Sequence, residues 1–363
     1  MSRSTTTTRL IDSSIRIILA GQASTGAYIA SPNFPSYRFA WLRDGSYCAL
    51  AMDAVGHRDS AERFHDWVSS VIQSQGPRIR EIVSRRAAGA EITVLDMLPT
   101  RYTLDGSLEH EDDEPWPNFQ LDGYGTWLFA LESHYRGDLP ARLLGTIELV
   151  ADYILATSSL PCYDYWEEYG DRVHTSTLAS LAAGLGAAAR LLGRDDLAAA
   201  AAMLVATIRE NCVVDGHFTK GPEDDRVDAS LLSLTTPFGL IEAGDPVMEK
   251  TMDAIRAQLS SSTGGIRRYV GDTFYGGNPW IMLTAWLGWH DRRTGHNAAA
   301  TRSQAWVEAR AGEGGDLAEQ VLDEPQAPDL VDFWIQKWGP VADPLLWSHA
   351  KYILMTTESE PLE

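Results

Sequence analysis

The chain has 363 residues, 44% hydrophobic and 22% charged, a balance that fits a globular protein and excludes wholesale disorder. Its formal net charge of −20 argues against nucleic acid or anionic lipid as a partner and favours a small neutral ligand. Cys48, Cys162 and Cys212 are too few and too widely spaced for a disulfide framework or a zinc site, and no apolar run is long enough for a secretory core or a membrane span, so a cytoplasmic protein is expected.

Helical periodicity dominates the chain. A first helix is predicted near 9–29, followed by a pair over 44–56 and 58–74; the second of these carries Phe64, Trp67, Val68, Val71 and Ile72 on one face. Residues 91–108 read as a short hairpin, and 122–136 with 138–157 as another helix pair. The stretch 174–193, "HTSTLASLAAGLGAAARLLG", opens on small polar capping residues and closes on Gly193, and a partner helix follows at 195–211. A short hairpin at 215–221 and a short helix at 228–240 precede helices at 245–259, 278–294, 298–312 and 343–357. About twelve helices in successive hairpins, with no sheet to wrap, no tandem repeat and no linker, predict an all-α ring of helix pairs forming one domain over 1–363. In such a ring the loops leading into the inner helices face a central funnel.

Five loops share one composition: "YRFAWLRDG" (37–45), "EPWPNFQLDGYG" (114–125), "CYDYWEEYG" (162–170), "GIRRYVGDTFYGGNPW" (265–280) and "GGDLAEQ" (314–320). Most of them mix acids, arginine or amides with aromatics. Carboxylates and guanidinium groups match the paired donors and acceptors of sugar hydroxyls, and indoles match the C–H faces of a pyranose. Trp41, Trp116, Trp166 and Trp280, four of twelve tryptophans, fall in these loops. Glycoside hydrolysis needs two carboxyl groups, one kept protonated by apolar surroundings. Glu167, directly after Trp166, suits the acid, and Glu319 is the candidate base. Taken singly, Arg43–Asp44 reads as an ion pair at a helix start and Glu167–Glu168 as a solvated acidic turn.

Together the loops resemble the catalytic domain of glycoside hydrolase family 15, the glucoamylase-like enzymes. "WLRDG" is similar to the family's sugar-gripping loop, which implies that Trp41, Arg43 and Asp44 hold the non-reducing glucose. "WPNFQLDG" places Trp116 against the sugar. "DYWEE" implies Glu167 as general acid beside Trp166, with Glu168 binding the next sugar. "RYVGDTFYGGNPW" gives Arg268, Asp272 and Trp280 as substrate-binding residues, "AEQ" gives Glu319 as general base, and "LLWSHA" gives Trp347. The six motifs run in the family's order from residue 37 to 352. The resemblance implies an (α/α)6 barrel and inversion at the anomeric carbon, with the carboxyls roughly 6.5–9.5 Å apart.

Two departures bear on substrate choice. The first motif begins by residue 37, so the N-terminal β-sandwich domain usual in bacterial and archaeal relatives is expected to be missing. The segment between "AEQ" and "LLWSHA" is long, carries Trp334 and Trp338 as either lid or packing, and has Val321 where an aromatic is expected. The expected activity is an inverting exo-α-glucosidase without cofactor or metal, acting on isomaltose or short isomalto-oligosaccharides. Maltooligosaccharides and trehalose are the alternatives, and a non-hydrolytic sugar-binding or epimerase-like protein is the reading from another class.

Overall fold

The computed structural model describes residues 4–109, 116 and 119–358. Helices α1 (Thr5–Ala20), α2 (Leu42–Ala54), α3 (Arg58–Ser74), α4 (Gly76–Ala87), α5 (Asp122–Tyr135), α6 (Leu144–Thr157) and α7 (Thr175–Leu192) make up the first half. Then come α8 (Asp195–Asn211), α9 (Pro246–Leu259), α10 (Ile281–Arg293), α11 (Asn297–Glu308), α12 (Val331–Trp338) and α13 (Leu346–Thr357).

Burial separates two layers. On α2, α7 and α10 side chains are buried nearly all round, as in a helix with neighbours on every side, whereas α8 buries only Leu197 and Ile208. The inner ring runs α2, α5, α7, the 3-10 turn Ala229–Leu234, α10 and α13, which packs back on α2. Outside it lie α3, α6, α8, α9 and α11, and α1 covers α13, completing an (α/α)6 barrel. The ring closes between the first and last helices: His349 Nδ1 lies 2.9 Å from Ser14 Oγ, and Leu346 N–H donates to Ala30 C=O at 3.0 Å. Where α5 meets α7 the backbones touch. A Cβ on Gly125 would lie 2.2 Å from Ser180 O, so only glycine fits there.

The structure adjusts several boundaries. Helix α1 starts early because the Ser4 hydroxyl caps Thr7 N–H at 3.1 Å, and it stops at Gly21. The inner member expected at 228–240 is only the 3-10 turn, all six residues buried. Residues 91–108 form no local hairpin: β2 (Arg101–Tyr102) pairs antiparallel with β1 (Ala40–Trp41) across the barrel mouth. The 215–221 hairpin is present as β3 (Val213–Val214) with β4 (His217–Phe218). Helices α4 and α12 were not foreseen. Pro77 in α4 reads as a breaker but sits in the first turn, where its missing N–H costs nothing, and α12 has eight residues, none buried. Trp67, Trp127, Trp286 and Trp289 are core, as their helical stripes predict.

Candidate active site

Loops that lead into the inner helices converge on one cavity of about 320 Å³. Every loop motif sends a side chain there: Trp41, Arg43, Asp44, Trp116, Trp166, Glu167, Glu168, Arg268, Trp280, Glu319 and Trp347 all line it. Asp272 does not. It is fully buried behind Arg268, accepting from Nε at 2.8 Å and Nη2 at 2.5 Å. The acidic run Asp112, Asp113 and Glu114 lies outside the described residues.

The 162–170 loop folds around Asp164. Its Oδ1 accepts from the backbone N–H of Trp166 and of Glu168, both at 2.9 Å, and its own backbone bonds Glu168 and Glu167. This tight turn holds Glu167 at φ +64°, a left-handed conformation disfavoured for a residue with a Cβ. Behind the turn, Lys220 Nζ is 2.6 Å from both Asp164 Oδ2 and Asp228 Oδ2, all three buried. Asp228 in turn accepts from Trp166 Nε1 at 2.9 Å. The loop therefore rests on a buried charged cluster rather than on solvent.

Glu167 Oε1 accepts from Trp41 Nε1 at 2.5 Å. Burial pushes this carboxyl up to about 7, against the pull of Arg43 and Arg101. Glu319 is 2% exposed, and its Oε1 accepts from the Tyr37 hydroxyl at 3.0 Å. Its Oε2 is buried with no hydrogen-bond partner among the described residues. Its backbone is fixed on both sides, donating to Ala342 and accepting from Ile281 N–H. Burial, with a smaller push from Glu167, raises Glu319 to about 8. Each carboxyl thus has one oxygen tied to a donor from the same 37–41 segment, whose two rings sit 5.6 Å apart.

Two arginines complete the walls. Arg43 Nη1 donates to Gln120 at 2.8 Å and Asp122 at 3.1 Å, its Nε lies 3.3 Å from Asp44, and its guanidinium packs over the rings of Trp347 and Tyr165. Burial raises Asp44 to about 6, although Arg43 opposes it. Arg268 donates to Glu168 at 3.2 Å, and the Tyr269 hydroxyl donates to the other Glu168 oxygen. Burial also raises Glu168. Such fixed, charge-assisted donors and acceptors between indole faces can orient sugar hydroxyls, and paired carboxyls with raised proton affinity can exchange protons with a bound ligand. Among the described residues no group of three or more His, Cys, Asp or Glu could hold a metal ion.

Residue-by-residue reading missed the supports. Gln120 and Asp122 stand in the quoted "WPNFQLDG" motif, from which only Trp116 was drawn. Tyr37 opens the first motif. Lys220 and Asp228 carry no local signal, since they meet Asp164 only through the fold. Phe274 and Lys337, which were also missed, line the cavity, and so do Trp334 and Trp338, expected as either lid or packing.

Comparison with known proteins agrees with this geometry. The family model described as glycosyl hydrolases family 15 matches residues 9–330. The isomaltose glucohydrolase of Kribbella flavida is 39% identical over 352 residues, covering 94% of this chain and 90% of that one. A glycosidase solved as the wild type, and as a variant in complex with glucose, superposes with a TM-score of 0.92 at 36% identity, covering 99% of both chains. A bacterial glucoamylase complexed with acarbose shares the fold, with a TM-score of 0.74 at 22% identity over 96% of this chain and 55% of its own.

Proposed function

The chain belongs to glycosyl hydrolases family 15, and we propose from its cavity that it is an inverting exo-α-glucosidase releasing β-glucose from isomaltose and short isomalto-oligosaccharides. One observation carries the reading: Glu167 and Glu319 line the same cavity, each with one oxygen held by a fixed donor. In this mechanism Glu167 gives its proton to the glycosidic oxygen as the bond to C1 breaks. Glu319 takes a proton from the water that attacks C1 from the opposite face, through the Oε2 that has no protein partner among the described residues. Water thus supplies a hydroxyl to C1, and the leaving sugar keeps the proton from Glu167. Glu319 then gives up its proton while Glu167 regains one, directly or through solvent, which resets the pair.

Burial holds both carboxyls high, so near neutral pH the pair shares about one proton, and the productive form carries it on Glu167. Arg43, Asp44 and Arg268 are assigned to the hydroxyls of the terminal glucose. The indoles of Trp41, Trp116, Trp166, Trp280 and Trp347 are assigned to its C–H faces. Glu168 is assigned to the next sugar, and Asp272 keeps Arg268 aimed.

Substrate size is argued from α12, which crosses the cavity mouth and favours a disaccharide over a long glucan; maltooligosaccharides and then trehalose are the next candidates. The reading takes 1–363 as one catalytic domain. It also places the protein in the cytoplasm, which its three free, buried cysteines support. No helix among the described residues is long and apolar enough to cross a membrane.

The test is glucose release from isomaltose, maltose and trehalose by the wild type beside Glu167→Gln and Glu319→Gln. Each variant should fall by about 10³-fold or more in kcat. No release from any of the three by the wild type overturns the reading.

A further inference from the structure

The segment 321–344 does more than occlude the mouth. Helix α12 is pinned at both sides of the cavity. Trp334 Nε1 donates to Thr273 C=O at 2.8 Å and its ring meets Phe274 at 5.1 Å, while the Trp338 ring meets Trp116 at 5.9 Å. Positions 334, 337 and 338 fall on one helix face, and that face lines the cavity. Phe333 points away, half exposed. The ammonium of Lys337 rides over both indoles, 5.2 Å from the Trp334 ring and 4.9 Å from the Trp338 ring. Two flanking π faces restrict a side chain that would otherwise sweep through water.

We propose that Lys337 is the specificity-determining donor for the leaving sugar, with Trp334 and Trp338 as the walls of that subsite. This rests on the glycosidase reading above and deepens it. The indole faces α12 and its neighbours bring to the mouth cover C–H faces, and the Trp334 N–H is already committed to Thr273. Lys337 is the one residue of α12 that brings charge-assisted donors to the cavity, and a sugar hydroxyl oxygen is the acceptor such a subsite needs. A neutral sugar fits better than an anionic leaving group, because the lining has no surplus positive charge. Its four carboxyl groups (Asp44, Glu167, Glu168, Glu319), with one proton shared between Glu167 and Glu319, already balance its three cations (Arg43, Arg268, Lys337). The terminal glucose is gripped by loops from the barrel, and the second sugar, which Glu168 meets from a barrel loop, is also read by an element outside the barrel ring. Linkage and chain-length preference therefore sit largely in 331–338.

The test compares isomaltose with α-D-glucosyl fluoride, whose leaving group is a single atom and reaches no leaving-sugar subsite. Lys337→Met keeps the stem on the two indoles and removes the donors; Lys337→Arg restores a cation. We expect Lys337→Met to lose about 10–100-fold in kcat/KM on isomaltose while staying within about two-fold of wild type on the fluoride. Lys337→Arg should recover most of the loss. Equal losses on both substrates, or wild-type activity on isomaltose, overturn the proposal and leave the glycosidase reading standing. A wild type that cleaves the fluoride but no glucose disaccharide overturns the substrate reading, and the proposal with it.

Discussion

Lys220 lines no part of the cavity, yet its replacement by methionine should damage both fold and activity. Its ammonium lies 2.6 Å from a carboxylate oxygen of Asp164 and of Asp228, with the three side chains 2% exposed or less. Those two oxygens are therefore at most about 5 Å apart, and without the lysine their repulsion is on the order of 3 kcal/mol at an effective dielectric of about 20. Breaking a buried ion cluster from one side costs about 3–5 kcal/mol, in agreement with that figure. Burial alone would raise Asp164, but Lys220 with its other partners brings it below the ordinary carboxylate value. A depressed carboxyl contributes stability above its unfolded value near 4, and that stability is lost as the pH falls through the folded value. In Lys220→Met, Asp164 keeps the burial that raises it and loses this partner, so it takes up a proton as the pH falls toward 4 and the repulsion disappears. The difference between wild type and variant should therefore be large at pH 7 and shrink at pH 4. Urea unfolding at the two pH values measures it. Adding Asp164→Asn should recover part of the loss, because the amide oxygen can still accept from Trp166 and Glu168. At temperatures where the variant is folded, kcat should drop about 10–100-fold, since the turn that presents Glu167 loses its support. Equal loss at both pH values, or no loss, would refute the argument.

The shared proton predicts a bell-shaped kcat/KM profile, with limbs near the values of about 7 and 8 that burial imposes on the pair; undiminished activity at pH 4 would contradict it. Glu319→Gln should stabilise the protein by about 2–4 kcal/mol at pH 8.5 and hardly at all at pH 4. The sign follows because a raised carboxyl costs stability only where the unfolded chain would ionise, and thermal melts at the two pH values check it. Trp41→Phe and Tyr37→Phe each remove a donor that favours the ionised carboxylate. The first should move the Glu167 limb and the second the Glu319 limb upward by roughly half to one pH unit, as pH profiles of the two variants would show.

How much could be read in advance differed between chemistry and support. The cavity-lining side chains sit in contiguous motifs near helix starts, because inner helices contribute their leading loops to the funnel; Arg43, Glu167, Arg268 and Trp347 were therefore visible as local patterns. Barrel architecture followed from alternating helices, although the fourth inner member contracted to the 3-10 turn Ala229–Leu234, where burial rather than helix propensity sets the conformation. What joins distant positions was not legible. Lys220 meets Asp164 across 56 residues, and the 40–41 strand finds its partner at 101–102, pairings that only the closed ring creates. Helix α12 is short and buries no residue fully, so its role at the mouth comes from Trp334 and Trp338 docking on Phe274 and Trp116, not from periodicity.

The central claim is that Glu167 and Glu319 act from opposite faces of one glucose, with water as the nucleophile. Proton NMR of the first glucose released from isomaltose tests it directly, before the anomers equilibrate in solution. The account predicts β-glucose as the initial product. Initial α-glucose would mean retention through a covalent intermediate and would contradict the assignment of Glu319 as the base.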